Sequence, residues 1–193
     1  MKNSLNEESF HKVILFIGPS GCGKTFLINK LVEKYPQTLK GTVSTTSRLP
    51  RAGEREGVDY YFRNKLCFAT ESFLEQTYYS GNFYGLTCQE VINKRKTGHL
   101  LAAVDINGLK QLQKLIGKEN VISFFIWAPT ETLRNRMISR GDSHKMVQDR
   151  MNNILKEHEI ENGKLCDYKI NNDRDINEVL EDIERILQKE NVL

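Results

Sequence analysis

Residues 18–25, Gly-Pro-Ser-Gly-Cys-Gly-Lys-Thr, satisfy the spacing G-x-x-x-x-G-K-[ST] at every fixed position. An apolar run, Val13-Ile14-Leu15-Phe16-Ile17, precedes them, and Phe26, Leu27, Ile28, Leu31 and Val32 follow at helical spacing. Strand, small-residue loop and helix in that order let several backbone N–H groups converge on one anion at the positive end of a helix. The pattern implies a nucleoside polyphosphate site built from Gly18, Pro19, Ser20, Gly21, Cys22, Gly23, Lys24 and Thr25. Lys24 adds a point charge for the outer phosphates, and Thr25 offers a hydroxyl ligand for Mg²⁺.

The rest of the chain alternates strand-like and helix-like patterns. A helix from Lys24 to about Tyr35 is stopped by Pro36. Residues 41–64 are rich in Thr, Ser, Arg and Gly and end in an extended Val58–Phe62. Helices are expected over Cys67–Thr77 and Gln89–Lys96, the second closed by Gly98. His99–Val104 and Val121–Trp127 are continuous apolar runs suited to buried parallel strands, which makes Trp127 a core residue. Leu109, Leu112, Leu115 and Ile116 repeat at helical spacing. Thr130–Arg140 reads as a helix with Thr130 as its N-cap, Ser143–Asn162 as largely helical, and Asp167–Ile170 as a last strand. Ile176–Leu187 is a final amphipathic helix. Such alternation implies a three-layer α/β fold with a central parallel sheet. A structureless stretch as long as the middle one is rare in a compact domain, so an inserted module is expected there.

Composition narrows the function classes. Of 193 residues, 39% are hydrophobic and 27% charged, with a formal net charge of +3, which is ordinary for a globular domain and gives no reason to expect nucleic acid as a partner. No apolar run approaches the roughly 20 residues that cross a bilayer. The polar stretch Met1–Lys12 is unlike a secretory signal, and Cys22, Cys67, Cys88 and Cys166 have neither disulfide nor zinc spacing. A soluble cytoplasmic protein with free thiols is the expectation. His11, His99, His144 and His158 sit singly, and no metal role is expected of them.

A second anion site is legible in the middle segment. Ser44-Thr45-Thr46-Ser47-Arg48-Leu49-Pro50-Arg51-Ala52-Gly53-Glu54 sets two arginines three apart, downstream of hydroxyls. Forked guanidiniums match phosphate oxygens, and hydroxyls add neutral donors. With Gly57-Val58-Asp59-Tyr60, Ser80-Gly81-Asn82-Phe83-Tyr84-Gly85 and Asp105-Ile106-Asn107-Gly108, this segment and the phosphate loop resemble guanylate kinase from Val13 to about Leu187.

That resemblance implies a P-loop core (1–42 and 98–193), an inserted mixed module for the acceptor nucleoside monophosphate (43–97) and a helical lid at about 134–151. It assigns the acceptor phosphate to Ser44, Arg48, Arg51, Tyr60 and Tyr84, and guanine to Glu75. Asp105 is placed near the acceptor or, indirectly, the Mg²⁺ shell. Arg136, Arg140 and Arg150 become lid arginines facing the phosphates, and Asn172 lies near the donor adenine. The implied reaction is Mg²⁺-dependent transfer of the γ-phosphoryl group of ATP to GMP or dGMP in purine metabolism, by a monomer or homodimer. Lys24, Arg48 and the lid arginines would neutralise the charge on the moving group.

The chain departs from the family pattern at Leu86, where a Ser or Thr usually reads guanine O6, and at Ala103, usually acidic. Thr87 is a neighbouring source of a hydroxyl. The segment after Arg140 is one residue short. These departures keep open a kinase of the same build with another acceptor base. A non-catalytic interaction module of the same fold is a third reading.

Overall fold

The computed structural model describes residues 11–79, 81–156 and 159–193. The start of the polar amino-terminal stretch, Ser80 and His158 lie outside them. Val13–Ile17 forms β1, buried at every position. It is the middle of a five-stranded sheet ordered β2-β7-β1-β8-β9, in which β2 is Leu39–Gly41, β7 His99–Ala103, β8 Val121–Trp127 and β9 Tyr168–Asn171. Every pairing in it is parallel, with Val13 opposite Leu100 on one side and Val121 on the other.

Strand alternation sends β1 into both faces of the core. Ile14 and Phe16 join Leu27, Ile28 and Leu31 of α1 (Lys24–Lys34) and Val179, Ile183 and Leu187 of α7 (Ile176–Lys189). Val13, Leu15 and Ile17 join Leu109, Leu112 and Ile116 of α4 (Ile106–Ile116). A strand covered on both sides cannot alternate apolar with polar residues, which is why these segments read as unbroken apolar runs. Asp105 caps α4, its Oδ1 accepting from Gly108 N at 2.8 Å. Asp175 caps α7 in the same way through Asn177 N.

The middle segment builds a second sheet ordered β4-β3-β6-β5, with β3 Thr45–Thr46, β4 Tyr61–Phe62, β5 Phe73–Tyr79 and β6 Asn82–Thr87. The expected helix over Cys67–Thr77 is corrected here: α2 covers only Cys67–Thr70, and the chain turns into β5. Phe73, Thr77 and Tyr78 favour a pleated surface, and Phe73 stacks on Phe68 with ring centroids 4.8 Å apart. Antiparallel pairing with β6 holds this stretch extended. The extended stretch at 58–62 shortens to Tyr61–Phe62, because the chain turns at Gly57, whose N–H meets Tyr60 O.

The remaining helices are α3 (Cys88–Arg95), α5 (Thr130–Ser139) and α6 (His144–Lys156), followed by a 3-10 segment, Glu159–Leu165. Pro129, not Thr130, is the N-cap of α5, with no side-chain bond. Trp127 is not core: it ends β8 and is 36% exposed. No helix among the described residues is long and apolar enough to cross a membrane.

Candidate functional site

The loop from β1 to α1 holds its shape through backbone that only glycine tolerates. Gly18, Gly21 and Gly23 have φ of +145°, +85° and +96°. A Cβ at Gly18 would lie 2.1 Å from Ile126 O, and one at Gly23 2.4 Å from Asn172 Nδ2. The loop is therefore pressed against the ends of β8 and β9. Asn172, buried just past β9, donates from Nδ2 to Cys22 O at 2.8 Å, and its N–H meets Trp127 O. Lys24 Nζ lies across the loop, donating to Gly18 O at 2.6 Å and Pro19 O at 3.1 Å. Thr25 is exposed in the first turn of α1.

Arg136, on α5, donates from Nη2 to Asn172 O at 2.7 Å. Its Nη1 is buried without a hydrogen-bond partner and lies close to Gly23. A cleft of about 250 Å³ opens there, lined by Gly23, Phe26, Arg136, Asn172, Arg174 and Ile176.

A second cluster forms between the β3–β4 connection and the α5–α6 corner. Arg48 is buried; its Nη2 donates to Glu54 Oε1 at 2.8 Å, while its Nε has no partner. The Arg48 guanidinium lies over the Tyr60 ring at 5.4 Å, and Tyr60 meets Tyr84 edge-on at 6.1 Å. Ser44, whose carbonyl accepts from Tyr61 N, stands at the start of this sheet. Arg51 reaches Glu54 and, through Nε, Asp142 Oδ1 at 3.0 Å. Arg140 binds Asp142 Oδ2 at 2.6 Å, and Arg150 donates to Ser20 Oγ in the phosphate loop. Burial first, then repulsion from Arg48 and Arg140, pull the Arg51 pKa below the ordinary arginine value. Burial likewise pushes Tyr60 up. Partly desolvated guanidiniums crowded together, one with an unmatched donor, are a site that an anion relieves.

Glu75 and Asp105 make a third group. Glu75 is 6% exposed, and its carboxylate lies against Gly108 in the first turn of α4. Burial, then the nearby Asp105 charge, raise its pKa to about 8, against one opposing hydrogen bond from Leu86 N. Thr87 Oγ1 accepts from Glu90 N as the cap of α3, which fixes the side chain there and leaves its O–H able to donate. Ala103 ends β7, partly buried and packed against the core.

No group of three or more His, Cys, Asp or Glu side chains able to hold a metal ion exists among the described residues. The exposed Thr25 hydroxyl beside Lys24 fits a cation that arrives with its polyphosphate, since Mg²⁺ keeps most of its shell from water and phosphate. Sequence reasoning gave no role to Asp142 or Glu54, the carboxylates that hold the arginines. The signal available for Asp142 was its position directly after Arg140-Gly141 and before the helix that carries Arg150.

The guanylate kinase family profile matches residues 10–190. Curated guanylate kinases from Anaplasma phagocytophilum (strain HZ) and Protochlamydia amoebophila (strain UWE25) are 35% and 37% identical to this chain. The first alignment covers 92% of this chain and 86% of that protein, the second 90% and 89%. The crystal structure of guanylate kinase from Anaplasma phagocytophilum superposes with a TM-score of 0.70 at 30% identity, over 95% of this chain and 87% of that one. The chain belongs to the guanylate kinase family.

Proposed function

We propose that this chain transfers the γ-phosphoryl group of ATP to GMP, giving ADP and GDP, with dGMP as a second acceptor. The observation that carries this reading is the bridge of arginines between two anion sites. Arg150 reaches the phosphate loop at Ser20, while Arg51 and Arg48 stand in the module that carries Glu75.

In this reading 1–42 and 98–193 are the core, 43–97 the acceptor module, and about 134–151 the lid. Lys24 exchanges the carbonyls of Gly18 and Pro19 for β- and γ-phosphate oxygens. Arg48, Arg51, Ser44, Tyr60 and Tyr84 hold the acceptor phosphate, whose oxygen is already ionised and needs no general base. Glu75, once ionised, accepts from the N1–H and N2–H₂ edge of guanine, and Asp105 keeps the first turn of α4 in place beneath it. Arg136, Arg140 and Arg150 neutralise the charge that spreads over the transferring group and exclude water from it. Thr25 holds Mg²⁺, which when bound neutralises the donor phosphates. The same reading makes the protein a cytoplasmic monomer or homodimer that acts on nucleotides, with neither nucleic acid nor membrane as partner.

A coupled assay of ADP release with GMP, dGMP, AMP, UMP and CMP tests it. Turnover is expected with GMP and dGMP, and absence of ADP release with both refutes it. Leu86 beside Glu75 is the observation that favours a second reading, a kinase of the same build with a changed acceptor base; preference for AMP or a pyrimidine in the same assay would establish that instead.

A further inference from the structure

Asp142 gathers guanidiniums from distant parts of the chain. The helix α5 ends at Arg140, Gly141 takes φ +88°, and the N–H groups of Gly141 and Asp142 return to the carbonyls of Ile138 and Met137. That pair of bonds is a Schellman ending, and it folds the Asp142 side chain back onto Arg140. Oδ2 accepts from Arg140 Nε at 3.0 Å and Nη2 at 2.6 Å, with Arg150 Nε at 3.9 Å. Oδ1 takes Arg51 Nε at 3.0 Å. The side chain is 1% exposed.

Burial opposes charge on this carboxyl, but Arg140, Arg51 and Arg150 outweigh it and hold its pKa below the usual aspartate range. The group is thus an anion buried among cations of both proposed half-sites. One arginine separates it from the phosphate loop, through Arg150 and Ser20, and one from the acceptor segment, through Arg51.

We propose that Asp142 is a positioning residue for phosphoryl transfer. Its carboxylate sets where Arg140 and Arg150 stand over the phosphates and fixes that corner to Arg51. The inference rests on the phosphoryl-transfer reading above. An isolated structural ion pair would stabilise the corner without affecting the chemical step. A positioning role instead couples the carboxylate to the transition state, because arginines displaced by about an ångström lose their register with the transferring group.

The test is steady-state kinetics of wild type, Asp142→Asn and Asp142→Glu, with thermal midpoints. Asn keeps the shape and one acceptor oxygen but removes the charge. The expected result for Asp142→Asn is a kcat lower by about 10- to 100-fold, with KM for ATP within about threefold. Asp142→Glu, which restores the charge, recovers most of that loss. Wild-type kcat in Asp142→Asn overturns the role, and so does a loss that Glu leaves unrepaired or that only follows a lowered midpoint. Absence of ADP release from wild type with every acceptor refutes the proposed reaction instead. In that case hydrogen exchange over residues 139–151 decides: exchange in Asp142→Asn faster by about tenfold supports the anchoring of this corner, and equal protection overturns it.

Discussion

Glu75 and Leu86 face each other across the β5–β6 ladder, and the Leu86 N–H donates to the Glu75 carboxylate. The carboxyl is thereby held in an apolar pocket, for Leu86 is fully buried with Leu74, Val91 and Leu109. Its polar relief comes from that one backbone N–H.

The raised pKa of Glu75, about 8, makes folding stability depend on pH. Between an unfolded value near 4.3 and the folded value, the folded state holds one proton more than the unfolded state, so stability falls as pH rises. The loss is on the order of 5 kcal/mol at most, and it is complete above about pH 8. Denaturant titrations from pH 5 to pH 8.5 should show this decline, and Glu75→Gln should flatten it. If the carboxylate reads guanine, KM for GMP falls over the same range in wild type and loses that dependence in Glu75→Gln.

Leu86→Thr should move stability and recognition in opposite directions. Replacing a fully buried leucine costs roughly 2–4 kcal/mol through the lost apolar volume and the buried hydroxyl, so the thermal midpoint falls. A hydroxyl on the face that Glu75 shares adds a donor for the guanine oxygen, about 1 kcal/mol or a roughly fivefold lower KM for GMP. Unchanged KM with a lowered midpoint would mean that Leu86 plays no part in the acceptor pocket.

Lys24→Ala removes the ammonium that spans the loop from Gly18 O to Pro19 O. Turnover should fall by roughly a hundredfold or more, the scale on which one preorganised charge acts in a water-excluded site. Near-normal kcat in this variant would remove Lys24 from the mechanism.

Gly141→Ala isolates the conformation of the α5–α6 corner. A Cβ there meets nothing within 4 Å, so the cost is confined to the left-handed backbone at φ +88°. A stability loss of about 1 kcal/mol is expected. Turnover should drop further than that loss explains, because the Asp142 carboxylate leaves its place with the turn. Equal, small effects on both would separate the corner from the chemistry.

The parallel core was legible because both faces of β1, β7 and β8 are covered, which leaves unbroken apolar runs in the sequence. The phosphate loop was legible because its glycines answer to backbone geometry that other residues rarely adopt. The second sheet was harder to read. Its strands are short, and Glu75 was expected in a helix over Cys67–Thr77, although β6 begins at Asn82, close behind the end of β5 at Tyr79; the pairing between the two strands decides the state of this stretch. Trp127 was misplaced because the apolar run continues one residue past the covered part of the sheet. Asp142 stayed invisible for another reason: a carboxylate beside arginines looks like any surface charge until the fold brings Arg51 and Arg150 to it.

The bond from Asn172 to Cys22 spans 150 residues. It makes the phosphate loop's shape a property of long-range closure and not of the local motif. Without β9 in place the residues from Gly18 to Thr25 are all present, yet the loop lacks the amide that steadies it and the arginine carried on α5 lacks its carbonyl anchor.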